Sequence, residues 1–307
     1  MKTFAAADMR AAPLWRRLEL PTWIVAISVY GGFLLITWGY HRLPVWLVLP
    51  IGAALMTLHG SLQHEAIHGH PTRSPALNAW IAGVPLSLWL PYPIYRESHL
   101  AHHRVEHLTD PLQDPESYYV AASAWQGMGP VRRALRRAQS TLLGRVLLGP
   151  PLIIARHFRT ELRLLARGDR RHVPIWTWHI AASVLVIAWV GLVCRIPLWA
   201  YLAVFVYPGL ALTLVRSFLE HRPAAAPRER TVIVEAGRVM SLLFLNNNLH
   251  VVHHESPGLP WYELPARYRR DREAVLAGNG RFLFRGYGAI LRRYALSAKD
   301  FPVHPGA

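Results

Sequence analysis

Residues 43–68 read "LPVWLVLPIGAALMTLHGSLQHEAIH". The first part, 43–62, has no Lys, Arg, Asp or Glu. At about 1.5 Å per helical residue it is long enough to cross the roughly 30 Å hydrocarbon core of a bilayer. The second part places His64 and His68 just beyond the apolar run, four residues apart and so on one face of a helix. A membrane span that ends in paired imidazoles decides how the rest of the chain is read.

Three more apolar stretches are long enough to span: roughly 20–40, 175–194 and 196–215. The four spans pair into two hairpins through the short links His41-Arg42 and Arg195-Ile196. Trp and Tyr gather at their ends (Trp23, Trp38, Tyr40, Trp46, Trp176, Trp178, Trp199, Tyr201), as interfacial belts do. Pro50, Pro197 and Pro208 are tolerable where neighbouring helices repair the backbone. The first run is too long for a signal-peptide core and lacks a small-residue cleavage site, so it is expected to be retained.

The chain is 307 residues long, 52% hydrophobic, and carries a formal charge of +16. A soluble protein rarely combines the two; a membrane protein with its cations on one side does. Of 34 Lys and Arg, only Arg42 and Arg195 fall in the hairpin links. That asymmetry predicts cytoplasmic termini, with residues 96–174 and 216–307 on the same side. The arginines flank apolar runs and form no single stripe, which argues against a nucleic-acid partner. The single cysteine, Cys194, excludes a disulfide framework or Cys-ligated cluster and reads as a small buried hydrophobe. Residues 77–94, apolar but holding Pro85, Pro91 and Pro93, are expected to form a helix that dips into the membrane or lies along it. Residues 121–174 alternate Arg with Leu and predict basic amphipathic helices on the anionic leaflet. "PAAAPRER", 223–230, reads as a linker. The expected fold is all-α and membrane-integral, one domain over residues 1–307 with a cytoplasmic helical cap.

Two more histidine clusters accompany "HEAIH". "HLAHH" supplies His99, His102 and His103, and "HVVHH" supplies His250, His253 and His254. One such pair is an ordinary feature of a membrane interface. Two identical H-x-x-H-H spacings and one H-x-x-x-H, all on one membrane face, point instead to metal binding, for which neutral imidazole is a good ligand. Eight imidazoles exceed what one ion takes, so two metals are implied. On helices each cluster should aim its rings one way. Glu65, Asp110, Glu255 and Asn247 are candidates to orient the ligands, with ordinary solvated side chains as the plain alternative. No separate catalytic acid or base is assigned. His70 and His107 are supporting or incidental, His59 is a helix-packing residue, and His41, His157, His172, His179 and His304 read as interface or surface residues.

The three boxes, their order and their place between two membrane hairpins resemble the integral-membrane fatty-acid desaturases, a family that includes carotenoid and alkane hydroxylases. The resemblance covers about residues 45–265, notably "HLAHHRVEHLTDPLQDPESYY" and "NNNLHVVHHESPGLPWYELP". It implies two irons held by the boxes and by one further histidine after the fourth span, a slot that "RSFLEHR" fills with His221. Some relatives carry an Asn four residues before that histidine; here Ser217 stands there. Asn246, Asn247 and Asn248 could orient a ligand or a metal-bound water, or cap the box-three helix. The resemblance further implies O₂ as co-substrate and a lipid-like acyl substrate. Reducing equivalents must come from a ferredoxin or similar acidic carrier, since the chain has no dinucleotide fingerprint. The expected reaction is fatty acyl desaturation, with hydroxylation by the same ligand set as the alternative. A divalent-metal transporter is the competing class, but it would need ionisable ligands near the midplane, where these clusters do not lie.

Overall fold

The structure is a computed structural model that describes residues 13–306. Residues 1–12, which carry the expectation of a cytoplasmic N-terminus, and residue 307 lie outside the described residues. Among the described residues, four helices are long and apolar enough to cross a membrane: Leu20–Trp38, Val45–Ile67, Val173–Val193 and Leu198–Ser217. These are the first to fourth spans.

The second span runs past the end of its apolar stretch to Ile67, so His64 stands on its last turn rather than beyond it. Nothing in "SLQHEAI" breaks a helix, and the chain first turns at Gly69, which has φ 94°. The second and fourth spans pack closely at small residues. A Cβ on Gly209 would fall 2.3 Å from Met56 Cβ, and one on Gly52 would fall 2.7 Å from Phe205. Membrane helices approach where backbones can touch, because lipid offers no hydrophobic drive to bring them together. The fourth span widens into a π-type turn at Leu202–Val206, next to Pro208, whose missing N–H leaves the i−4 carbonyl without a donor. The third span presents Trp178, Leu185 and Leu192 outward, where lipid would lie.

The stretch expected as one helix over 77–94 is two helices, Pro75–Ala82 and Tyr92–His102. Between them the chain is irregular, because Pro85 and Pro91 donate no backbone bond and disfavour helix in the residue before each. Its carbonyls are met from neighbouring spans. Gln63 Nε2 donates to Ala82 O at 2.9 Å and His179 Nε2 to Leu88 O at 3.0 Å, while Tyr201 donates to Leu86 O. Such backbone is stable at membrane depth only when protein groups satisfy it. His179, expected at an interface, is therefore a buried tie.

In the basic region, Pro130–Gln139 and Leu142–Ala166 meet at a bend of 120°, and the longer helix packs on the fourth span. Arg132, Arg137, Arg159 and Arg163 are exposed. Residues 223–230 are no loose linker: buried Arg230 donates to the carbonyls of Ala224, Ala225 and Glu106. The cap is not wholly helical, since Ile233–Val234 pairs in parallel with Leu283–Phe284. Ile233, Leu264 and Leu276 form a dry core beneath the third histidine box.

Candidate metal centre

Box one sits on the end of the second span, box two on Tyr92–His102 with His103 just beyond it, and box three on His250–Glu255. His221 follows the fourth span and bridges to Thr231. These four segments bring nine imidazoles together in two groups. His64, His68, His99, His103 and His253 form the first, and His102, His221, His250 and His254 the second. Within each group one nitrogen from every ring lies within 4.8 Å of all the others. The groups are neighbours: the rings of His103 and His254 stack with centroids 4.3 Å apart.

The boxes therefore do not each aim at one point, as a shared helix face suggested. The division follows helical periodicity. At about 100° per residue, positions i and i+4 lie about 40° apart, whereas i+3 falls about 60° to the other side of i. His99 and His103 accordingly join the first group while His102 crosses to the second. His250 and His254 join the second group while His253 crosses to the first. Box one has only i and i+4, and both of its rings stay in the first group.

The converging atoms are Nε2 throughout the measured pairs. His99 Nε2 lies 3.0 Å from that of His68 and 3.1 Å from that of His103. His221 Nε2 lies 3.1 Å from those of both His102 and His250. His64 and His254 each bury an Nε2 with no hydrogen-bond partner. Nitrogens held so close, with buried lone pairs left unmatched, suit a metal ion.

Three acceptors on the far side of the rings set this orientation. His102 Nδ1 donates to Asp114 at 2.8 Å, His99 Nδ1 to Glu116 at 3.0 Å and His250 Nδ1 to Asn247 Oδ1 at 2.9 Å. With Nδ1 protonated, Nε2 keeps the lone pair a metal requires. Asp114 and Glu116 thus hold the places for which Asp110 and Glu65 were candidates. Asp110 instead accepts from Leu112 N and Gln113 Nε2, both at 2.8 Å, and so closes its own turn. Glu65 accepts from Trp261 N, and its other oxygen stays 3.9 Å from His64 Nδ1, beyond hydrogen-bond length. Glu255 is exposed. Glu116 gave no distinctive signal in sequence, since only folding of the loop after box two returns it to His99.

No side chain caps the box-three helix. Of the three asparagines offered for that role, Asn246 donates to Trp261 O, Asn248 to Val234 O, and Asn247 meets His250. Ser217 lies 3.4 Å from Tyr118 Oη. His70 pairs with Glu19 at 2.8 Å, His107 is exposed, and His59 packs edge-on against Tyr30 of the first span. His304, expected at the surface, bonds Thr109.

Burial and repulsion between neighbouring rings push several of the imidazoles toward the neutral form. Desolvation first, then His99 and His102, push His103 down to about 3. Burial likewise takes His250, His253 and His254 well below the usual histidine range. His102 is the exception: burial lowers it, but Asp114, Glu116 and Glu220 more than offset this and raise it. Burial alone would raise Glu116, yet His99 beside it holds the carboxyl at about 2.

A cavity of about 720 Å³ reaches His221 of the second group and is lined by residues of the second and fourth spans and of the helix Leu142–Ala166. Met56, Val206, Leu210 and Ile153 line its apolar part, and Glu116, Glu220 and His221 its polar end.

A helical scaffold with four apolar spans that gathers imidazoles at the span ends, beside a largely apolar cavity, defines a membrane protein whose histidine clusters suit a metal ion. The family model described as "Fatty acid desaturase" matches residues 40–286, most of the chain, and the protein belongs to that family. With the family come lipid oxidation, an acyl lipid substrate and membrane association. No curated protein matches the chain.

Proposed function

We propose that the protein is a di-iron, O₂-dependent desaturase of a fatty acyl chain, with His64, His68, His99, His103 and His253 holding one iron and His102, His221, His250 and His254 the other. The carrying observation is the pair of convergent, buried imidazole sets, the second of which meets a largely apolar cavity through His221. An all-imidazole set suits a redox-active first-row metal and supplies no negative charge to quench its Lewis acidity. When bound, the two irons supply reduction of O₂ and removal of hydrogen from an unactivated methylene. The balance is simple: two hydrogens leave adjacent carbons, an external donor supplies two electrons, solvent supplies two protons, and both oxygen atoms leave as water. The protein's own part is to hold nine imidazoles, to fix the tautomers of His102, His99 and His250 through Asp114, Glu116 and Asn247, and to align an acyl chain between Met56 and Leu210. Exposed arginines of the basic helices offer an acidic electron carrier such as a ferredoxin its landing surface. The arginine asymmetry supports a cytoplasmic face for the boxes and both termini, and the likeness of "NNNLHVVHHESPGLPWYELP" to many bacterial family members supports a bacterial inner membrane.

Lipids of an expressing host, compared by mass with those of a host expressing His253→Ala, test the reaction. Desaturation appears as loss of two hydrogens that the variant abolishes. Gain of one oxygen would replace it with hydroxylation, and an unchanged profile in the active host would refute acyl oxidation.

A further inference from the structure

The C-terminal residues 295–306 lie beyond the family match, which ends at 286, yet they run back along the second histidine group. Their path is tied at several points. Lys299 N donates to Ser140 O at 2.8 Å, and Tyr119 donates to Asp300 at 2.5 Å. Val120 N donates to Pro302 O and His304 N to Val120 O, both at 3.0 Å, closing a parallel bridge between Val120 and Val303.

From this strap two side chains reach toward the centre. Lys299 Nζ donates to the backbone carbonyl of His221 at 3.1 Å. Its side chain is 8% exposed, and the ammonium lies over the faces of Tyr119 and Phe218 at 5.6 and 5.7 Å. Polar burial of a lysine is costly unless it secures partners, and here they are the main chain of a group-two histidine and, at 3.9 Å, the carboxylate of Asp300. His304 is the second. Its Nδ1 accepts from Gly306 N at 3.1 Å, which leaves Nε2–H to donate to Thr109 Oγ1 at 3.1 Å. Thr109 N in turn donates to Asp114 Oδ2 at 2.9 Å, and Asp114 Oδ1 receives His102 Nδ1. Two of the four rings in the second group are thus held from the strap, one through its backbone and one through its acceptor. Among the described residues, no side-chain bond from the strap reaches a histidine of the first group.

We propose that residues 295–306 are a positioning strap for the second histidine group, acting through Lys299 on His221 and through His304, Thr109 and Asp114 on His102. This rests on the two-ion reading above. Loss of the strap contacts leaves His221, which stands outside any helix, held only by its backbone bridge to Thr231 and its immediate neighbours, and slackens the carboxylate that orients His102. One ion should then loosen while the other stays.

The test is a metal count that needs no turnover. Lys299→Met, His304→Ala and the double variant are purified in detergent, loaded anaerobically with ferrous iron, and challenged with a chelator. Each single variant should weaken one ion about 10- to 100-fold, the usual effect of removing an outer contact. The double variant should approach one iron per chain, with the remaining ion held as tightly as in the parent. Two tightly held irons in the double variant would overturn the strap alone. Parallel loss of both would also overturn it, since that is general loosening. A parent chain that holds fewer than two irons would overturn the two-ion reading and the strap with it.

Discussion

Asp114→Asn replaces a buried carboxylate with an amide of nearly the same shape. Asp114 is 3% exposed and accepts three bonds, from His102 Nδ1 at 2.8 Å and from Thr109 N and Glu116 N, each at 2.9 Å. The amide has one accepting oxygen, so at least one of these donors then faces an NH₂ group. The negative charge that raises the basicity of His102 is lost as well. Outer-contact substitutions of this kind weaken a metal about 10- to 100-fold. At about 1.4 kcal/mol per decade, that is roughly 1.4–2.8 kcal/mol for the ion in the second group. Glu116→Gln should produce the same effect on the first group, because Glu116 orients His99. Chelator competition on iron-loaded protein separates the two: each single variant should keep one tight and one weakened ion, and the double variant should weaken both. The reasoning is refuted if Asp114→Asn holds both ions at parental affinity, or if the two single variants already weaken both.

Packing and titration give two further expectations. Gly209→Ala places a methyl 2.3 Å from Met56 Cβ and 3.3 Å from Ala53 O, so the second and fourth spans must part. Overpacking of this sort costs about 1–3 kcal/mol, and a lowered midpoint of thermal unfolding in detergent should report it. Metal-free protein should lose stability steadily on acidification. His103 is held at about 3 against its ordinary 6.5, so between those values the unfolded chain binds the extra proton. Glu116, held at about 2 against 4.5, adds a loss of the same sign below about 4.5. Unfolding midpoints measured from pH 7 to pH 4 should fall despite the opposite contribution of His102, whose pKa is raised; a flat or rising profile would contradict the His103 shift.

Much of the molecule was legible in its residues. Hydropathy alone located four spans, since a run of about 20 residues without charge has few soluble uses. The boxes declared themselves by spacing, because ligands on one helix must recur at three or four residues. Some local expectations did not survive folding, two of them in the spans and their neighbours. The apolar run 77–94 breaks into two helices because prolines override hydropathy, and the second span absorbs box one because nothing before Gly69 stops it.

By itself, then, the sequence determined that the chain is a helical membrane protein and that its histidines act together, because both properties are periodic along the chain. It could not say which ring joins which group, nor that Asp114 and Glu116 rather than Asp110 and Glu65 stand behind them. Those choices depend on helix orientation and on a loop folding back over 12 and 17 residues, from His102 to Asp114 and from His99 to Glu116. Nor could it show that Lys299, 78 residues from His221, ends at that histidine's carbonyl. Contacts of that kind carry no local period. Only the packed tertiary structure decides them.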